Sequence, residues 1–187
     1  KTTRGGAEYY EKVLNYKIIN MATALIISRA DIVRYTSMNG NVDTDKFIQY
    51  IAQAQDTHMQ NYLGTDLLEK IQADIVAGSL AGDYLTLVTK YLKPMLIHYA
   101  MMEYLHHAAF TISNKGIFKH SAEGSETASE SEIQALIANE ERTAEHYAQR
   151  FVDYICNNSN LFPEYNSNSG SDMNPSQNVN NTNWYLR

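Results

Sequence analysis

From Gly82 to Ile112, apolar and aromatic side chains return every three or four positions, at Leu85, Val88, Leu92, Met95, Leu96, Tyr99, Met102, Leu105, Ala109 and Ile112. Such steps mark one face of an α-helix. Pro94 stands in the middle and lacks a backbone donor, yet the apolar phase carries across it. The pattern therefore predicts one kinked helix, roughly 45 Å long at 1.5 Å per residue. Beyond Pro94 the opposite face is apolar too, through Ile97, Met101, Tyr104 and Ala108, and Glu103 is the only formal charge before Lys115. A helix apolar nearly all round is one that others wrap.

The elements on either side are set out by caps and stops. Ser28 with Asp31 three positions on predicts a short helix over about Arg29–Tyr35. Asn39-Gly40-Asn41 is a turn signal. Asp43 or Thr44 then caps a helix whose inward face is Phe47, Ile48, Ile51, Ala54, Gln55, Met59 and Tyr62, with Gly64 as its stop. Thr65 caps a shorter helix with Leu67, Leu68, Ile71 and Ile75 inward, and Gly78 ends it. Ser113 to Ala128 reads as a loop. Ser129 and Glu132 form a capping box for the last helix, which turns inward Ile133, Leu136, Ile137, Thr143 or Ala144, Tyr147, Phe151, Tyr154 and Ile155. The reading is an all-α fold, a small helical bundle around a long kinked central helix.

At 187 residues the chain has room for one domain with flexible ends. It divides into an N-terminal extension, 1–20, a helical domain, 21–156, and an Asn/Ser-rich C-terminal arm, 157–187. The extension carries four basic and two acidic residues. Met21 opens MATALIISRAD like an ordinary initiation site, so the extension is either an arm or an over-extended reading frame. Its charges leave no room for the apolar core of a secretory leader. The arm holds ten asparagines in 31 residues, too few apolar groups for a core of its own. It is punctuated by Leu161, Phe162, Pro163 and Tyr165, then by Trp184, Tyr185 and Leu186, a pattern suited to a disordered or extended segment that orders on a partner.

Charge and motif inventory narrow the function. A net charge of −6 argues against a nucleic-acid-binding surface, which needs clustered Lys and Arg. Between His120 and Glu145 lie seven glutamates against one arginine, Arg142. Cys156, alone, excludes an internal disulfide and is placed on an apolar helical face as a buried, inert thiol. His98, Glu103, His106 and His107 make Pro94–Ile112 an expensive membrane span, so no membrane association is expected. Glu103 with His106 and His107 gives one E-x-x-H pair of the kind di-iron bundles use twice. The second pair is missing, and Glu141, Glu145 and His146 stand at other spacings. A ferritin-like metal-binding bundle stays open as an alternative, beside a helical regulatory or scaffolding domain. No P-loop, dinucleotide fingerprint, nucleophile elbow or H-E-x-x-H occurs. The expectation is no enzyme and no cofactor.

The runs VDTDKFIQYIAQAQDTHMQNYLGTDLLEKI, LAGDYLTLVTKYLKPMLIHYAMMEYL and FVDYICNNSNLFPEYNSN resemble head–tail connector proteins of tailed bacteriophages. The flavour is that of phages of Bacteroides-type hosts, crAss-like ones included. The resemblance spans about Ala22 to Asn168 and lies in the order of whole helices, the Q-x-Y-L-G-T-D turn at Gln60–Asp66 and the Lys-Pro of the central helix. It implies a structural virion protein at the neck, assembled in the host cytoplasm. Copies, usually twelve, form a homo-oligomeric ring beneath the portal protein that receives the next tail or stopper protein and prolongs the DNA channel. DNA passes through without specific binding. Leu161, Phe162, Pro163, Tyr165, Trp184, Tyr185 and Leu186 then become a portal-binding arm whose removal from Asn157 onward leaves the bundle folded. Glu123, Glu126, Glu130 and Glu132 become an acidic loop facing the channel, where they repel phosphates.

Overall fold

Ser28 opens the first helix of the computed structural model, which describes residues 24–36, 44–108, 110–113, 116–119, 129–167 and 172–177. Its hydroxyl accepts from the Asp31 amide while the Asp31 carboxylate accepts from the Ser28 amide, and the helix, α1, runs Arg29–Tyr35. Helix α2 is built of Thr44–Ala54, a π-helical turn Gln55–Met59 and a last turn Gln60–Leu63. Gly64, at φ 74°, ends it, and α3 (Thr65–Ala77) stops at left-handed Gly78. The central helix α4 comprises Gly82–Leu87, a π-helical turn Val88–Leu92 and Lys93–Ala108. Pro94 explains that wide turn: the helix loses one donor there, and just ahead of it the Lys93 amide reaches back five residues to the Val88 carbonyl.

The central helix ends four residues sooner than its apolar phase suggests. Phe110–Ser113 (β1) pairs antiparallel with Gly116–Lys119 (β2), with Ser113 opposite Gly116. Both segments are rich in aromatic and β-branched residues, which favour an extended backbone once a pairing partner is two residues away. Part of the expected loop is therefore a hairpin, the only strands among the described residues. The fold remains all-α in every layer that carries the core.

Helix α5 (Glu130–Asn157) starts at the expected capping box, with the Ser129 hydroxyl accepting from the Glu132 amide and the Glu132 carboxylate accepting in return. Glu130 and Glu132 thus belong to the first turn of a helix rather than to a loop, and Glu132 is held there by its cap. Glu123 and Glu126 lie outside the described residues.

Ring contacts set the directions of packing. Phe47 meets Tyr104 while Tyr62 meets Tyr99, so α2 runs antiparallel to α4. Tyr91 stacks on Tyr154 and His98 on Tyr147, so α5 runs antiparallel on another flank. The side of α5 that enters the core is Ile137, Ala144, Ala148, Phe151, Val152 and Ile155. Leu136, expected inward, is 52% exposed, and Ile48 and Leu85 are likewise exposed. Cys156 is exposed and not buried as expected. Leu136 and Cys156 each neighbour a buried isoleucine, and one residue of a helix turns a side chain by about 100°.

The helical body does not end at Asn157. Ser159–Leu161 forms a 3-10 turn and Pro163–Ser167 a short helix, α6. Phe162 is fully buried, edge-on to Tyr84 and Tyr154. Tyr165 is buried as well, and the Tyr84 hydroxyl donates to Glu164 at 2.5 Å. Phe162, Pro163 and Tyr165 therefore belong to the bundle rather than to a free arm; two buried aromatic rings stabilise that placement by about 3–6 kcal/mol in transfer terms. Leu161 stays 37% exposed. Residues 172–177 belong to no helix or strand. The N-terminal extension, and Trp184, Tyr185 and Leu186, lie outside the described residues.

Candidate functional site

The first candidate is the Glu103 carboxylate. Gln53 Nε2 donates to Glu103 Oε2 at 2.7 Å, and His58 Nε2 lies 2.8 Å from Oε1. His58 stacks on Tyr99, centroids 4.1 Å apart and planes within 4°, and the Tyr62 and Tyr99 hydroxyls meet at 3.3 Å. Both carboxylate oxygens are thus engaged in holding α2 against α4. His106 and His107 do not join them: both are exposed, and His107 stacks on Tyr50. Burial pushes the Tyr62 and Tyr99 phenols above their usual value, so both stay protonated at neutral pH. Among the described residues no group of three His, Cys, Asp or Glu side chains is placed to hold a metal ion. No helix there is long and apolar enough to cross a membrane.

The second feature is the turn Gln60–Asp66 singled out in the sequence. Thr65 does not cap α3 with its side chain; Gly64 takes the N-cap position without a side-chain bond. The Thr65 hydroxyl instead accepts from Gln60 Nε2 at 2.9 Å and from the Met173 amide at 3.2 Å. The Thr65 amide donates to the Met173 carbonyl at 3.0 Å, and the Ser176 amide to the Asn61 carbonyl at 2.8 Å. Gln60 also reaches Asp172, at 3.4 Å. Pro175 lies over Gly64 so closely that a Cβ there would sit 2.8 Å from its Cδ and 3.2 Å from the Met173 carbonyl. Gly64 is required twice, for its backbone angle and for this approach. The chain from Asp172 to Gln177 is thus a strap laid on the α2–α3 corner by main-chain bonds.

The third is a groove of about 400 Å³ beside Pro94, between α1, α4 and α5. Pro94 and Ile97 contribute apolar lining, and Tyr35 and Tyr147 line it from α1 and α5. Lys93 Nζ lies 3.1 Å from Asp31 Oδ2, and His98 Nδ1 is 2.7 Å from Glu140 Oε2. Arg34 stands over the Tyr35 ring at 5.8 Å and Arg150 over the Tyr147 ring at 5.6 Å. Burial raises the Asp31 carboxyl, but the Ser28 amide and hydroxyl and the Lys93 ammonium outweigh it, leaving its pKa below the usual value.

Of the residues expected to meet a portal, Leu161, Phe162, Pro163 and Tyr165 fall together on the bundle, remote in sequence from Trp184–Leu186. The strap and the groove were not foreseen. Met173 and Pro175 inside an asparagine-rich run were the available signal for the strap. The groove assembles from three helices and has no linear signature.

A family model, described as a family of unknown function (DUF6712), matches residues 59–175, more than half of the chain. Its limits fall at the two sides of one contact, Met59 just before the Gln60 turn and Pro175 on the strap that covers it. Neither a curated protein nor a solved structure matches the chain.

Proposed function

The chain belongs to the family DUF6712, whose description assigns no function, and from the residues themselves we propose that it is a structural subunit of a phage neck. In this reading copies form a homo-oligomeric ring under the portal, extend the DNA channel, and receive the next tail component. The role is assembly rather than catalysis. One observation carries it beyond the resemblance: the chain is fastened to its own bundle as far as the strap, and Trp184, Tyr185 and Leu186 follow seven residues past Gln177. At up to about 3.5 Å per extended residue, that spacing gives the triplet a reach of roughly 25 Å from the strap. Two aromatics and a leucine make a compact hydrophobic anchor of the sort that concentrates binding energy.

The portal-binding segment is accordingly narrowed to the residues after Gln177. The helices behind it supply a rigid platform, since Phe162 and Tyr165 are already committed to the core. Negative-stain imaging of the purified chain mixed with portal tests the reading. Rings stacked coaxially on the portal support it; a chain that remains unattached beside portal particles overturns it.

A further inference from the structure

The strap is seated on the α2–α3 corner by its backbone and adds little to the core. The Thr65 amide donates to the Met173 carbonyl at 3.0 Å, the Met173 amide to the Thr65 hydroxyl at 3.2 Å, and the Ser176 amide to the Asn61 carbonyl at 2.8 Å. Pro175 fills the space that Gly64 leaves open. None of these contacts depends on which copy of the chain supplies the segment. Asp172, Met173, Asn174 and Gln177 are exposed, while Pro175 and Ser176 are half-buried. Among the described residues the buried core ends at Tyr165. Lifting the strap therefore breaks the corner contact and leaves the packing between the helices in place.

A peripheral segment of this kind is one that identical chains exchange at low cost, because the contact between copies repeats the contact within one. Concentration decides which form is populated. A segment on a short linker meets its own site at an effective concentration on the order of millimolar. A free chain in dilute solution therefore keeps its own strap. Copies held side by side in a ring face one another at a comparable local concentration, which no longer opposes exchange, and each exchanged strap ties two copies together. Asp172 lies five residues past Ser167, the end of α6, a reach of at most about 17 Å. A neighbour's corner must come that close to α6, which sets these two faces against each other at the seam.

We infer that in the assembly the strap, residues 172–177, of each copy seats on the α2–α3 corner of a second copy, forming between subunits the bonds that the free chain makes within itself. Given to one neighbour and received from the other, the strap is a head-to-tail joint, the geometry that closes into rings. The segment after Gln177 then sets out from the neighbour's corner. The exchange rests on the ring reading for its setting; the contact itself is the one present in the single chain.

Cross-linking of the full chain tests it, with the exposed Cys156 replaced by serine throughout. One variant carries Asn61→Cys, a second Ser176→Cys, and a third both; the bond between these positions is main-chain and survives each change. A short bis-maleimide joins the two thiols where a strap is seated, and circular dichroism with thermal melting confirms that each variant is folded. At about 5 μM without portal, the double variant is joined within one chain and a mixture of the single variants is not joined. On portal, the double variant turns into a ladder of linked chains. In a one-to-one mixture of the single variants on portal, about half of the strap thiols are joined to another chain, the share set by random neighbours in a ring. A double variant that is not joined in dilute solution overturns the inference, because the strap is then not seated. So does a double variant on portal that stays joined within single chains, or whose strap thiols are joined to nothing. If imaging shows rings on the portal in those last two cases, the exchange falls and the ring reading stands. If no rings form on the portal, the ring reading falls and the exchange with it.

Discussion

The α2–α3 corner and the Pro94 groove are both concave features beside a helix irregularity, and they differ in what covers them. At the corner the chain covers itself: Met173, Pro175 and Ser176 meet Gly64, Thr65 and Asn61 through main-chain donors and acceptors. Beside Pro94 the lining is side chain, with its charges paired between helices, Lys93 with Asp31 and His98 with Glu140. Backbone bonds and a glycine approach specify a shape and leave little for a partner to read. Paired ions and arginines on tyrosines specify a charge pattern, which is what a partner reads. The difference separates the part of the molecule that maintains the fold from the part that remains available.

Substitutions sharpen the contrast, beginning with the side that should be most sensitive. Phe162→Ala removes a fully buried ring from between Tyr84 and Tyr154. It should cost about 3–5 kcal/mol in urea unfolding, where a free arm would show no loss. Gly64→Ala meets both an unfavourable backbone angle and Pro175; a loss of about 3 kcal/mol is expected by the same measurement. A neutral result would mean the strap is not seated. Gln55→Ala is next. Gln55 sits in the first π-turn, wholly buried. Its Oε1 accepts from the Ile26 amide at 2.7 Å and its Nε2 donates to the Ala24 carbonyl at 3.1 Å. Leaving those groups unpaired should cost about 2 kcal/mol and raise amide exchange at Ile26.

The groove should respond least. Arg150→Ala removes a cation from a tyrosine face at the surface and should change stability by no more than about 1 kcal/mol. Acid acts through Asp31. Because its folded pKa is lowered, its contribution is complete above the unfolded value and disappears as pH falls through the folded one. Melting temperature should therefore show no Asp31 component between pH 7 and 5 and gain one below about pH 4, and Asp31→Asn should remove that component. The acid loss at Asp31 reports its bonds to the Ser28 amide and hydroxyl first and its pairing with Lys93 second, so Lys93→Met should remove only the smaller part of it.

Local features were legible and distant ones were not. The Ser28–Asp31 and Ser129–Glu132 boxes, the Gly64 and Gly78 stops and the unbroken phase through Pro94 are each decided within a turn or two of chain, and the structure places them as expected. Leu136 and Cys156 went to the wrong side because an inward stripe is narrow and a neighbour on the helix is already past its edge. The hairpin after Ala108 competed with a helical phase that its aromatic and β-branched residues also satisfied. The strap was hidden for a different reason. Composition describes a segment by its side chains, whereas Asp172–Gln177 is held largely by its backbone, to a corner more than a hundred positions earlier. Glu103, legible as half of a metal motif, is occupied by Gln53 and His58 from another helix, a pairing that no spacing within its own helix announces.

The central claim is that the self-fastened body reaches Gln177 and that the segment after it engages the portal. The direct measurement is removal of residues 178–187, followed by urea unfolding and by electron microscopy with portal-bearing heads. Stability should stay within about 0.5 kcal/mol of the full chain, while coaxial attachment to the portal is lost. Attachment equal to that of the full chain, or a truncated body that unfolds, would contradict the account.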